Sequence, residues 1–234
     1  MIKVGNKFRR ILFAGILVLG MAVSCFGITI TVDDDGPADF QTIQGAINAA
    51  GEGDIVRVAE GHYFENIDFR GKAITLTSTD PNDPNVVENT IIDANNSGIV
   101  VSFHSGEGTD SILTGFTITR GHAQYGAGIC CWGECSPTIS YCTITGNHND
   151  DLSNSCGGGL YISSDSDIIL NNCALMNNVS VMGGGIYSNY GTLTMNNCAI
   201  DSNNATSSGG GGVYSCGILI LNNCTISNNT TRYS

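Results

Sequence analysis

Between Gly121 and Thr231 the sequence contains no lysine and no arginine. A stretch of that length without a cation cannot grip nucleic-acid phosphates or anionic lipid. The acidic excess of the whole chain, 21 Asp and Glu against 9 Lys and Arg, repels both, so nucleic acid is excluded as a partner. Proline is scarce too, with 4 residues in 234, which leaves the 31 glycines as the main interrupters of regular structure. They fall in clusters that a helical repeat would not tolerate.

Long apolar runs are missing except at the N-terminus, where ILFAGILVLGMAV follows Lys3, Lys7, Arg9 and Arg10. That pattern is an export leader, too short for a typical membrane span, and residues 1–27 are set aside with cleavage after Gly27. An alternative cut lies after Ser24. Met21-Ala22-Val23-Ser24-Cys25 resembles a bacterial lipobox, with Ala22 where leucine is usual, and makes Cys25 a lipidation candidate. The expected location is secreted or cell-surface. Without the leader, the five cations Arg57, Arg70, Lys72, Arg120 and Arg232 face 21 acidic residues, and five minus 21 gives −16.

What is abundant is repetition. GGGLYISSDSDIILNNCALMNN, GGGIYSNYGTLTMNNCAIDSNN and GGGGVYSCGILILNNCTISNN follow one another. Aligned on Cys142, Cys173, Cys198 and Cys224, the units place Ile139, Leu170, Met195 and Leu221 three residues earlier. Ile144, Leu175, Ile200 and Ile226 stand two later, and Asn147, Asn178, Asn203 and Asn229 five later. SILTGFTITRG fits one unit upstream through Leu113, Phe116, Ile118 and Gly121. Self-similarity at this period marks a solenoid in which each unit rests on its neighbours.

Runs such as LTMNNCAI alternate like strands between turns, so one short strand per coil is expected to pair in parallel with its copy. Equivalent side chains then form columns about 4.8 Å apart from level to level. The cysteines should stack inside one sheet as free, buried thiols. The asparagines should form a second ladder, accept left-handed turn geometry and bond to one another. The GGG runs supply corners at φ angles other residues avoid. The expected fold is all-β: a right-handed single-stranded parallel β-helix with a short N-terminal capping helix.

In that organisation residues 28–234 form the β-helix, with the cap and first coil in 28–60 and the regular repeats in 98–234. DFQTIQGAINAA puts Phe40, Ile43, Ala46, Ile47 and Ala50 on one helical face, with Asp39 as the expected N-cap. The chain stops at TRYS after the Asn229 turn without another corner or cap. An incomplete C-terminus is therefore expected, with further coils, or self-association through the C-terminal edge.

VDDDGPADFQTIQGAINAAGEGDIVRVAEGHYFENI resembles the N-terminal cap and first coil of pectin methylesterases and other pectate-lyase-like β-helix proteins. The GGGI…NNC…NN units resemble secreted bacterial β-helix repeats and, more loosely, those of polymorphic outer-membrane proteins and adhesins. The resemblance implies the fold and a polysaccharide-related role. Lyases of this superfamily use a basic residue and calcium, and the esterases use two Asp, an Arg and Gln residues in their central coils. No segment here matches those central motifs, so no catalytic residue carries over.

The residues themselves offer a short set of candidates. Asp165 and Asp167, two apart, would share a face if extended and are the catalytic candidates for a hydrolase, with Asp150-Asp151 nearby. Cys130, Cys131, Cys135 and Cys156 are disulfide candidates in an exported protein, a zinc site being disfavoured by the CCxxxC spacing. His62, His104, His122 and His148 show no ligand spacing. No metal site or cofactor is expected, although DDD at 33–35 and DPNDPN at 80–85 could bind calcium incidentally. Tyr161, Tyr187 and Tyr214 follow the inward Leu160, Ile186 and Val213, so they should point outward in a row. They are the ligand-binding candidates for sugar rings, weighed against a purely structural aromatic ladder. The expected function is a non-catalytic surface or extracellular module that binds a polysaccharide or cell-surface glycan, or is structural. The alternative is a polysaccharide-active lyase or hydrolase of the pectate-lyase-like class.

Overall fold

The computed structural model describes residues 27–149, 153–207 and 209–232. Residues 1–26, which hold most of the expected leader and Cys25, and Asp150-Asp151 lie outside them. Among the described residues 24 short strands form four sheets of eight, six, seven and three strands, and successive strands in each sheet come from successive coils. Every pairing between named strands is parallel, and the columns read from the repeats are the observed register. Leu113, Ile139, Leu170, Met195 and Leu221 lie in line, as do Ile118, Ile144, Leu175, Ile200 and Ile226.

The expectation of one strand per coil is corrected to three, with a short fourth in the last coils. Runs such as LTMNNCAI are bent in the middle. Asn197 stands at φ 55°, so Thr192–Asn196 pairs in the eight-stranded sheet and Ala199–Asp201 in the seven-stranded one. Asn172 and Asn223 make the same bend one coil away on either side. Asparagine accepts this left-handed conformation at low cost, which explains why it precedes Cys173, Cys198 and Cys224; before Cys142 the same conformation falls to Tyr141, at φ 53°.

The cysteine column therefore lines the corner between two sheets rather than the inside of one. Cys142, Cys173 and Cys198 are buried in the core there, and Cys224 is half-buried in the last described coil. Burial pushes the Cys142 thiol up to about 12. Cys198 differs: hydrogen bonding from the Cys173 thiol, and then from the Cys173 N–H, which lies 3.4 Å from Cys198 Sγ, holds its thiol below the usual value.

The second asparagine ladder has another task. Asn147, Asn178 and Asn203 are fully buried, and the left-handed positions belong to their predecessors Gly146, Asn177 and Ser202. Asn178 Oδ1 accepts from the backbone N–H and the Nδ2 of Asn147 at 3.1 and 3.0 Å. Its own Nδ2 donates to Ile144 O at 2.9 Å and to Asn203 Oδ1 at 3.0 Å. Asn203 and Asn229 repeat the pattern at 3.0 Å. Two donors and two acceptors are all an amide has to satisfy, so the ladder buries polar groups without orphans. The glycine corners work in two ways. Gly183 takes φ 63°, whereas at Gly185 a Cβ would lie 2.5 Å from Gly212 O in the next coil.

At the N-terminal end, helix α1 (Ile43–Ala49) buries Ile43, Ala46 and Ile47 over the first coils. Its N-cap is Thr42, not Asp39, whose carboxylate instead accepts from the N–H and hydroxyl of Thr31 at 2.9 and 2.8 Å. Glu65 replaces the missing cap from the next coil, accepting from Ile43 and Gln44 N–H at 2.7 and 2.9 Å. Lys72 Nζ closes the other end on the carbonyls of Ile47, Asn48 and Ala50. Opposite-sign charges thus meet the two ends of the helix dipole.

Two outcomes check this packing. Asn178→Ala strands partners on both neighbouring coils and is expected to cost about 2–3 kcal/mol in chemical denaturation, against about 0.5 kcal/mol for Asn222→Ala on the exposed ladder. Brief treatment of the native protein with a bulky maleimide, read by peptide mapping, is expected to label exposed Cys216 and spare Cys142, Cys173 and Cys198. Labelling of two of those three without unfolding would overturn the corner register.

Candidate functional site

The outward column of the six-stranded sheet is chemically uneven. In register from coil to coil it runs Asp68, Ser102, Cys130, Tyr161, Tyr187, Tyr214. Polar and ionisable groups hold one end and aromatics the other. The three tyrosines do form the expected outward row, but their rings stack on one another. Centroids are 5.8 and 5.1 Å apart, with planes within 7° and 17° of parallel. Their faces are turned to each other, because a one-coil spacing leaves no room for rings lying flat side by side. The row presents edges and hydroxyls rather than sugar-stacking faces.

Tyr161 is buried outside the main core, in a second apolar cluster with Cys130 and Cys156, against which Ile99, Tyr125, Met182 and Tyr187 pack. Loss of water around these groups pushes the Tyr187 phenol and the Cys130 thiol up to about 12 and the Cys156 thiol up to about 11. The row is therefore uncharged at neutral pH. Trp132 closes it: its ring stacks on Tyr161 at 5.7 Å and 20°, with Tyr125 tilted against both, and it remains 50% exposed.

Beside Trp132 lies a pocket of about 270 Å³ that Tyr161 does not line. Ile99, Ala123, Tyr125, Cys130 and Trp132 supply apolar walls, and Ser102, His104 and Gln124 border it with apolar atoms, so the lining is apolar throughout. A concave, mainly apolar and aromatic lining is the usual setting of a small-ligand site. Next to it His104 Nε2 is 3.4 Å from Asp68 Oδ1, Arg70 Nε is 3.8 Å from Asp68 Oδ2, and Ser105 Oγ is 3.3 Å from His104 Nδ1. A larger concavity, about 800 Å³, follows the asparagine corner from Pro84 and Val87 past Tyr141 to Asn223. Tyr141 is the only aromatic lining it, and the Asn223 amide there is already bonded to Asn197 at 2.8 Å. The aromatic pocket is the better-built candidate.

The remaining sequence candidates are dispersed. Asp165 sits in a turn at φ 65° beside buried Ser166, so it and exposed Asp167 are not on one extended face. Cys130 and Cys131, adjacent on a strand, point to opposite sides, Cys130 to the tyrosine cluster and Cys131 into the main core. Cys135 donates to the buried Glu107 carboxylate at 3.2 Å, and all four disulfide candidates are free thiols. The carboxylates of Asp33, Asp34 and Asp35 come within 4.8 Å of one another, the only such acidic group among the described residues. Asp80 and Asp83 instead accept from Asn82 and Asn85 N–H, the latter capping helix α2 (Pro84–Asn89). His62 and Arg120 share the buried Asp93 carboxylate at 2.7 and 3.0 Å, and His122 stacks on His148.

Of the site's main groups, Trp132, Tyr125 and Asp68 escaped the sequence reading, and His104 was set aside there for want of ligand spacing. The available signal was positional. Cys130 is 31 residues before Tyr161, one repeat length, which sets the chain's single tryptophan at the end of the tyrosine row.

None of the curated proteins matches this sequence. Among solved structures, the deglycosylated pectin methylesterase from Aspergillus niger is similar over 86% of this chain and 67% of that one. The identity is 17% and the TM-score 0.55. A second form of that enzyme, with an N-acetylglucosamine stub, gives 18% identity over the same shares and a TM-score of 0.48. At these identities the likeness is one of fold. Residues 102–231, more than half of the chain, match the family described as right handed beta helix region, and the protein belongs to that family, with the right hand its crossovers were expected to have.

Proposed function

We propose that this is an exported β-helix module that binds carbohydrate, with Trp132 as the stacking surface and the Tyr161-Tyr187-Tyr214 row as its rigid backing. The observation that carries the reading is the half-exposed Trp132, held parallel to buried Tyr161 and lining a pocket with Tyr125, Gln124 and His104. An indole face meets the apolar face of a sugar, whose hydroxyls stay toward solvent and the pocket's border. The row contributes edges and phenol hydroxyls to a longer glycan lying along the axis. The fold, shared with a pectin methylesterase, supports a polysaccharide-related role without specifying a ligand.

A second reading, a polysaccharide-active hydrolase, draws on the contiguous Asp68, His104 and Ser105 beside the same pocket. Both separations are long for working hydrogen bonds, and the His104 side chain is 50% exposed, so binding is favoured.

Binding is to be measured by glycan array and calorimetry. Trp132→Ala is expected to lower affinity about tenfold, the loss of one aromatic contact of about 1–1.5 kcal/mol, while leaving the fold intact. Tyr187→Ala is expected to weaken binding less and to lower stability, because it breaks the stack from within. Unchanged affinity in Trp132→Ala would remove the pocket from consideration. Release of soluble sugar or acid from polysaccharide, lost in His104→Ala, would decide for the enzyme.

A further inference from the structure

The chemistry around the pocket also bears on what kind of sugar it takes, an inference that rests on the carbohydrate reading above. We propose that the pocket receives a single uncharged sugar residue and rejects uronates. The volume of about 270 Å³ falls just below the range of about 300–1,000 Å³ for drug-sized ligands, which suits one ring rather than an oligosaccharide. Its walls are apolar and offer stacking surface.

No Lys or Arg lines the pocket. The sequence has no Lys or Arg between Gly121 and Thr231, which covers the strand and loop carrying Gln124, Tyr125, Cys130 and Trp132. Arg70 is paired with Asp68 at 3.8 Å, and His104 of the pocket lining faces that same carboxylate at 3.4 Å. A uronate entering the pocket would leave its hydration shell against an indole and a thiol whose proton is firmly held. It would do so beside Asp68 and in the field of a chain whose formal charge without the expected leader, five minus 21, is −16. A neutral ring meets none of these penalties.

The single tryptophan makes the test direct, since Trp132 is the chain's only indole and its emission reports on this pocket alone. The protein is titrated with matched pairs that differ at C6, methyl galactoside against methyl galacturonide and the corresponding glucose pair, then with short oligomers of each. The expected result is quenching by the neutral member, at least about tenfold tighter than by its uronate, with affinity changing less than about twofold between low and high salt. Gln124→Lys is expected to invert the preference and make uronate binding salt-dependent. Equal or tighter uronate binding by the unaltered protein would overturn the charge inference while leaving the pocket as the site. A tryptophan signal that answers to neither class, with glycan binding detected by calorimetry, would overturn both.

Discussion

Each paired strand residue in this solenoid sits one strand spacing from its counterpart in the next coil. That distance, about 4.8 Å, is set by parallel backbone hydrogen bonding and cannot be relaxed locally. Its consequences depend on side-chain type. For an amide it is close to ideal, because a buried asparagine can donate to the level on one side and accept from the level on the other. The Asn147-Asn178-Asn203-Asn229 ladder accordingly carries polar groups through an otherwise apolar interior. For a thiol or a branched aliphatic it is a contact distance that fills a narrow core. For an aromatic ring it enforces stacking. The tyrosine row thus stabilises the sheet and, by the same geometry, loses the faces that would make it a binding surface.

The periodic part of the fold was legible because a solenoid writes each constraint several times. The inward columns, the cysteine ladder and the asparagine ladder could be placed from spacing alone, and the observed register agrees with them. Their local geometry was less legible. A bend at one left-handed asparagine splits a strand-like run, and nothing in the apolar pattern of LTMNNCAI distinguishes a bent run from a straight one. Similarly, Asp39 has the right chemistry and position for a cap, but Glu65 wins by reaching α1 from a coil that is remote in sequence. Long-range contacts of this kind leave no local signature.

The candidate site was harder to see for a related reason. Repetition identifies what is common to the coils, while a pocket needs what differs between them. Trp132, His104 and Asp68 each occur once, in coils whose loops depart from the later units. They come together because one outward column happens to change character along its length, from Asp68 through Ser102 and Cys130 to the tyrosines. Only register turns such singular residues into neighbours.

The regular coils then acquire a role that their own surface does not suggest. A tryptophan exposed on a loop would have many rotamers to lose on binding a sugar, and ordering it would consume much of a weak contact. Here its ring is fixed against Tyr161, which is fixed against Tyr187 and in turn Tyr214, with Tyr125 as a lateral support. The stack extends the order of the β-helix out to the edge of the pocket. Tyrosine columns far from any ligand could therefore influence affinity through the stiffness of Trp132, and a solenoid suits that purpose because each added coil lengthens the support without altering the site.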